Sequence, residues 1–397
     1  KRVRFRSMEL VERELQFFLD HRVPQVKFID RTFNCKREHS LAIWRYITEH
    51  DNGITNFHFE ISADLLGEEE LEVFRHMRPG LIQLEIGLQS TNPETVKEIH
   101  RTMNIEKVKK NMLAVHAMHN IHQHLDLIAG LPYEDFITFR KSFDQAYDMK
   151  PDQLQLGFLK VLKGSYMEEQ VEAYDLQYQD YQPYEVLCTK WISYDEILAL
   201  KKVEEMVEVY YNSDQFAHTI PYLLSFYPST FSFYAALGDY YEANDLFGIG
   251  FKREARYEAL RQFAIADPTI TDLSMTVLDD LLTYDYYLRE NAKSRPAWRL
   301  EEPIDKIVYQ QFFKNAGTDE VWLMKEEYDS KVAARTMHIE PVSSKSVAWI
   351  LAEGISDYLQ SADAVDTNED KTCYCLFDYG KRNPLSKDAG VKILTHL

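Results

Sequence analysis

Three apolar stretches of this chain carry polar side chains of the kind that grip a small ligand: Phe57-His58-Phe59-Glu60, Leu84-Glu85-Ile86-Gly87-Leu88-Gln89-Ser90-Thr91-Asn92-Pro93-Glu94, and Asp126-Leu127-Ile128-Ala129-Gly130-Leu131-Pro132. An unpaired polar group inside an apolar element is expensive to bury, so carboxylates and amides recurring there mark a site. A fourth set, Asp30, Arg31, Thr32 and Asn34, follows the apolar run at residues 26–29. Carboxylates accept from hydroxyls and ammonium groups, and an amide both donates and accepts. A ligand with hydroxyls and an amino group therefore suits the set.

Positioning these groups falls to a repeated strand-helix unit. Apolar or alternating runs recur at residues 25–29, 56–61, 81–87, 123–128 and 153–159, at the spacing of about 30 residues typical of a βα unit. The intervening segments read as helices. Val11, Leu15, Phe18 and Leu19 share a face after a cap at Ser7; Ile105, Val108, Met112, Val115 and His119 share another; Asn92-Pro93 suits an N-cap and first turn. In a closed or partial α/β barrel, ligands gather at the C-terminal ends of the strands, which is where the candidates fall. The chain begins with a helix that needs a preceding strand to dock on. The expected fold is thus a partial (β/α) TIM-like barrel lacking its first strand, with a further segment upstream of Lys1. After Gly164 the strand-helix rhythm stops, which predicts a barrel over 1–165 and a mainly helical domain with a small α+β end over 166–397. Ser193 and Glu196 suit a capping box, helical patterns follow at 231–246, 252–264 and 270–292, strand candidates lie at 307–313, 320–324 and 372–377 around a helix near 346–359, and 360–371 reads as a loop.

Composition narrows the class. The 397 residues suffice for two domains. A net charge of −19, from 45 basic and 64 acidic residues, argues against a broad phosphate-binding surface and so against a nucleic-acid partner. Four scattered cysteines, Cys35, Cys188, Cys373 and Cys375, do not make a disulfide framework and fit a reducing, cytoplasmic setting. No apolar run approaches the roughly 18 to 20 residues of a membrane span, so no membrane partner is expected.

The ordered set Phe28-Ile29-Asp30-Arg31-Thr32-Phe33-Asn34, Phe59-Glu60, Gly87-Leu88-Gln89-Ser90, Ile99-His100-Arg101 and Asp126 to Pro132 resembles the radical S-adenosylmethionine (SAM) superfamily over about residues 1–160. The likeness is nearest to the branch with an upstream cobalamin-binding domain, and the barrel half is similar to oxygen-independent coproporphyrinogen III oxidase. Residues 377–385 resemble the uncharacterised C-terminal domain that accompanies this branch. The resemblance implies that Glu60, Gln89, Arg101 and Asp126 contact SAM through its amino, carboxylate and ribose hydroxyl groups, with Ser90 beside them and Ile128 flanking adenine. Asp30, Thr32 and Asn34 would hold the methionine amino group, through backbone because the family's Gly-Gly-Glu is absent. It also implies a 4Fe–4S cluster, cobalamin from an upstream domain as an open alternative, a small-molecule or peptide substrate, and a reductant such as flavodoxin or ferredoxin. The activity implied is hydrogen abstraction by a 5′-deoxyadenosyl radical or methyl transfer. The family's Cys-x3-Cys-x2-Cys run is missing from these residues. Its ligands are expected upstream of Lys1 or lost, and the chain alone is expected to be inactive.

Other readings stay open. Glu60 and Asp126 could be buried ion-pair partners, and Arg101 a solvated helix residue. His116, His119, His122 and His124 invite a metal reading, but the run crosses a helix-to-strand junction that turns the rings apart. Cys373 and Cys375 share a strand face and suit small core residues. A non-catalytic nucleoside-binding or scaffold protein on the same barrel is the second function reading, and a lyase or aldolase using Lys160 or Lys163 the third.

Overall fold

The alternating runs resolve into five parallel strands in the computed structural model, which describes residues 3–300, 303–315, 330–352 and 371–397. After helix α1 (Met8–Asp20) come β1 (Gln25–Lys27), α2 (Arg37–Glu49), β2 (Asn56–Ile61), α3 (Glu68–Arg75), β3 (Ile82–Gln89), α4 (Pro93–Glu98), α5 (Ile105–His116), β4 (His122–Ala129), α6 (Phe136–Tyr147) and β5 (Gln153–Phe158). The strands lie side by side in chain order, all parallel. Right-handed crossovers in that order place every connecting helix on one face, which is the topology of a barrel arc rather than of a doubly wound sheet.

The two faces differ in chemistry. Phe57, Phe59, Leu84, Ile86, Leu125, Leu127, Leu154 and Leu156 point to the helix-covered face and are fully or almost fully buried, each contributing about 1.5–3 kcal/mol. The residues between them on the opposite face are His58, Glu60, Glu85, Gly87, Gln89, His124, Asp126 and Gln155. Parallel strands are normally apolar on both faces, so this polar face is the part of the sheet that packing alone does not explain. At the β1 edge, Phe33 packs on Phe59 and Trp44 at centroid distances of 4.4 and 5.5 Å, and Phe28 stacks on Phe59 at 4.6 Å. This aromatic knot fixes the loop that leaves β1.

The compact unit built on the sheet runs through Asn212, past residue 165. Leu159 continues the β5 pairing by donating to the Ala129 carbonyl, and Val186 in turn donates to Leu159. This segment carries α7 (Tyr166–Glu169), the short pair β6 (Gln177–Tyr178) and β7 (Val186–Cys188), and α8 (Tyr194–Val207). The expected capping box opens α8, with Glu196 accepting from the Ser193 backbone at 2.8 Å. Asn212 then pins the segment to the sheet by bonding both the amide and the carbonyl of Leu154.

Residues 213–397 form a second compact unit. It contains α9 (Thr219–Leu224), α10 (Thr230–Ala243), α11 (Arg253–Ala266), α12 (Met275–Arg289), α13 (Lys306–Asn315), α14 (Ser330–Thr336), β8 (Met337–Ser343), α15 (Ser344–Leu351), β9 (Thr372–Arg382) and β10 (Ala389–Leu394). The three strands form an antiparallel sheet in the order β10-β9-β8. The strand expected at 307–313 is instead α13. Tyr309 and Phe313 stand four residues apart with their rings 5.0 Å apart, and they pack on Ile339, Leu376 and Leu394. The strand expected at 320–324, the end of the helix expected at 346–359 and most of the 360–371 loop lie outside the described residues.

Two smaller corrections concern helix ends. His119 does not share the α5 face; α5 stops at His116, and His119 is exposed in the following turn at φ 53°. Ser7 holds the N-cap position of α1 without a side-chain cap bond. Among the described residues no helix is long and apolar enough to cross a membrane.

Candidate functional site on the polar face of the sheet

Strand register assembles the polar residues into rows. Glu60 pairs with Glu85, Glu85 with His124, Gly87 with Asp126, and Asp126 with Gln155. Ile128, next on the same face, pairs with Gly157. Between Gly87 and Gln89 the register slips, so β3 carries a bulge and Gln89 takes the left-handed region at φ 69°. A bulge re-aims a side chain at little cost in pairing. Here it folds the Gln89 amide back over Gly87, where a Cβ would lie 2.6 Å from Gln89 Nε2 and 3.3 Å from both terminal nitrogens of Arg101. Arg101 also donates to the Gly87 carbonyl. Glu60, Gln89, Arg101 and Asp126 are therefore brought together on this face.

The sequence reading missed half of this face. His58 lies 2.8 Å and Lys27 3.0 Å from the Glu85 carboxylate, and His124 bridges Asp126 at 3.1 Å and Gln155 at 3.0 Å. Sequence reasoning gives Glu85 a place in the set without a role, leaves His58 and Lys27 without one, and meets His124 only in the histidine group weighed for a metal. The signal was present: in a strand the residues two before Glu60 and Asp126 share their face, and those are His58 and His124.

Electrostatics divide the carboxylates. Burial pushes Glu85 up, but Lys27 and the two histidines outweigh it and hold the group below the ordinary carboxylate range. Burial also opposes a charge on His124, yet Asp126 and Glu85 prevail and raise it, while burial and Lys27 lower His58. Burial and then Glu85 raise Glu60, with Arg101 pulling in the other direction. Glu60 makes no hydrogen bond or ion pair among the described residues. It is the half-buried carboxylate of this face with its acceptor capacity open.

Two of the expected side chains, Asn34 and Ser90, are engaged elsewhere. The Asn34 amide bonds both the carbonyl and the amide of Ser62 at 2.9 Å and is buried, so its side chain ties the loop after β1 to the loop after β2. Ser90 is fully buried and donates to Glu134 at 2.7 Å, leaving its hydroxyl no access to the polar face. Asp30 and Thr32 border a cleft of about 770 Å³ lined by Leu15, Phe18, Val26 and Phe28. Lys27 also lines this cleft, which lies along β1 at the edge of the sheet.

Glu134 was not anticipated. Its Oε1 accepts from Ser90 and from Ser142, each at 2.7 Å, and its Oε2 is buried without a hydrogen bond. Burial pushes the carboxyl up from 4.5 to about 7, against the two serines. A raised carboxyl favours the folded state below pH 4.5, and that contribution fades as the pH rises through about 7. The swing is about 3 kcal/mol. Denaturant unfolding of Glu134→Gln between pH 5 and pH 8 should show this component of the pH dependence removed; an unchanged profile would mean that Glu134 does not titrate in this window.

The remaining candidates separate in space. The His116 and His119 rings are 5.8 Å apart at the end of α5, whereas His124 belongs to the polar face. Among the described residues no three His, Cys, Asp or Glu side chains are grouped to hold a metal ion. Lys160 and Lys163 are exposed. On β9, Cys375 is fully buried and Cys373 half-buried, and burial raises both thiols.

Residues 1–146 match the Radical SAM superfamily, and residues 172–356 match DUF4080, a protein family of unknown function. The second match lies upstream of the 377–385 stretch that carried the C-terminal resemblance. The oxygen-independent coproporphyrinogen-III oxidase-like protein HemZ of Bacillus subtilis (strain 168) is 31% identical over 113 residues, 28% of this chain and 22% of that protein. This chain thus matches about a fifth of that relative's length. Among solved structures, the radical SAM methyltransferase TsrM from Kitasatospora setae, with cobalamin and a [4Fe-4S] cluster bound, is 15% identical over 45% of this chain and 35% of its own, at a TM-score of 0.38. The Escherichia coli radical SAM enzyme HemN, coproporphyrinogen III oxidase, is 13% identical over 51% of this chain and 47% of its own, at 0.36. The α/β assignment rests on the strand order.

Proposed function

With residues 1–146 identified as a radical SAM superfamily segment, we propose that the polar face of its sheet is a SAM site within a radical SAM enzyme. The observation that carries this reading is Glu60, a half-buried carboxylate with no hydrogen bond or ion pair among the described residues, on the face that also gathers Arg101, Gln89 and Asp126. The donor set fits the ligand. Arg101 forks onto the methionine carboxylate, Glu60 accepts from the ammonium or the ribose hydroxyls, Gln89 donates and accepts, and Ile128 offers an apolar contact for adenine. Asp30 and Thr32 contribute backbone at the end of β1. Gly87 leaves the space in which Gln89 and Arg101 lie.

SAM, bound next to a reduced iron–sulfur cluster, supplies hydrogen abstraction or methyl transfer to enzymes of this superfamily. The cluster itself does not fit the residues in hand: the 397 residues contain four scattered cysteines and no Cys-x3-Cys-x2-Cys run. What these residues do is bind and orient the sulfonium ligand, with Lys27, His58 and His124 holding Glu85 and Asp126 in place below it. The reaction, cobalamin use, a reductant of the flavodoxin or ferredoxin class and a cytoplasmic location are part of the same proposal and rest on the family alone.

The test is equilibrium binding of SAM to the intact chain and to Glu60→Gln. Losing one hydrogen bond to a charged group should raise Kd about tenfold or more. An affinity that is unchanged in the variant removes Glu60 from the site.

A further inference from the structure

We infer that Tyr166 and Tyr174 are positioning residues that set the affinity for the amino-acid end of SAM by clamping the segment that carries Arg101. This rests on the SAM reading above and assigns a role to residues 166–174, outside the superfamily match.

Arg101 follows a helix end built to aim it. After α4, His100 adopts the left-handed region at φ 56°, its amide donates to the Lys97 carbonyl at 3.1 Å and the Arg101 amide donates to the Val96 carbonyl at 3.0 Å. This reverse turn points the chain back toward β3, where the guanidinium reaches the Gly87 carbonyl. A helix of six residues has little stability of its own, so its placement depends on what holds its ends. The N-terminal end is held by the loop after β4: Asn92 donates to the Tyr133 carbonyl at 2.7 Å and Thr95 to the Pro132 carbonyl at 2.8 Å.

The C-terminal end is held through Glu98. A carboxylate is disfavoured at a helix C-terminus, where the backbone presents partial negative charge. Glu98 nevertheless sits there, because its Oε1 accepts from the Tyr166 hydroxyl at 2.9 Å and from the Tyr174 hydroxyl. The two phenols also lie 3.3 Å from each other, and the Tyr166 ring meets the His100 ring edge-on at 4.9 Å. Tyr174 is itself fixed. It is 6% exposed, packs on Trp191 at 5.3 Å, and its backbone bonds Gln170 and Lys190 at 2.9 Å. The hydroxyls of a rigid segment thus grip the residue three positions before Arg101.

Removing both hydroxyls leaves the aromatic packing in place and frees Glu98 and the turn behind it. The experiment compares two ligands on the intact chain: SAM, and methylthioadenosine, which keeps the nucleoside and lacks the amino-acid end. In the Tyr166→Phe, Tyr174→Phe double variant the Kd for SAM should rise about tenfold while that for methylthioadenosine stays within about twofold. Glu98→Gln, whose amide oxygen still accepts from the tyrosines, should keep most of the wild-type affinity, and Glu98→Ala should match the double variant. Equal weakening of both ligands, or of neither, overturns the clamp. Failure of the wild-type chain to bind either ligand overturns instead the SAM reading on which it rests.

Discussion

Substituting Gly87 with Ala should weaken SAM binding by about a hundredfold while leaving the melting temperature within a few degrees of wild type. The added Cβ would lie 2.6 Å from Gln89 Nε2, closer than such atoms tolerate, and 3.3 Å from the Arg101 nitrogens, so that the amide must leave and the guanidinium must give way by a few tenths of an ångström. Both obstacles are the far ends of flexible side chains, so the strand itself need not move. Nor is the backbone at fault: the positive φ on this stretch belongs to Gln89, not to Gly87. The cost is therefore borne by the site. Displacing the guanidinium removes a charged hydrogen bond worth about 1.5–3 kcal/mol, and displacing the amide removes a neutral one worth about 0.5–1.5 kcal/mol. Together these correspond to roughly a hundredfold in Kd. Calorimetric binding alongside a thermal melt checks it. A large drop in melting temperature with a proportionate loss of binding would mean that Gly87 serves packing between β3 and β4, and that Arg101 is a bystander.

That one glycine shows where sequence reasoning reached and where it stopped. Strand positions were legible because period-two alternation is strong in residues 56–61 and 122–129, so Glu60 and Asp126 could be set on one face from the chain alone. The fold class followed from the spacing of five such runs. What alternation does not report is a bulge: the slip between Gly87 and Gln89 turns the Gln89 amide over the strand, and only the paired register reveals it. Polar residues at strand ends were equally ambiguous. Asn34 and Ser90 have the right chemistry for a ligand, yet Asn34 satisfies the Ser62 backbone and Ser90 a buried carboxyl, because each polar group enclosed by folding must find a partner nearby. The α13 segment failed for a different reason. Ile307 and Val308 suggest a strand by composition, but they are exposed, and the spacing of Tyr309 and Phe313 decides the element.

Asp280→Ala should destabilise the second unit by about 3–5 kcal/mol, because it breaks a buried ion pair. Asp280 and Arg299 are both essentially inaccessible and meet at 2.7 Å. The other Asp280 oxygen accepts from the Ser343 amide at 2.7 Å and the Ser346 hydroxyl at 2.6 Å, joining α12 to the turn between β8 and α15. In the variant, Arg299 would keep its bond to the Pro341 carbonyl, with the Glu340 carboxylate 3.9 Å from its Nε. Glu340 cannot replace Asp280, since it is already engaged by Arg295 at 3.1 Å and His338 at 3.0 Å. The Ser343 amide loses its acceptor as well, at a further cost of the same sign, while the Ser346 hydroxyl keeps the Ser343 hydroxyl at 2.9 Å. Against a usual domain stability of about 5–15 kcal/mol, the loss is a large share of the whole. The charge argument has a specific signature: Asp280→Ala combined with Arg299→Met removes both ions and should recover part of the loss, a coupling that a double-mutant cycle in denaturant measures directly. If the double variant is less stable than Asp280→Ala by the full cost of Arg299→Met alone, the two sites are independent and the pair is not what holds α12 to the sheet.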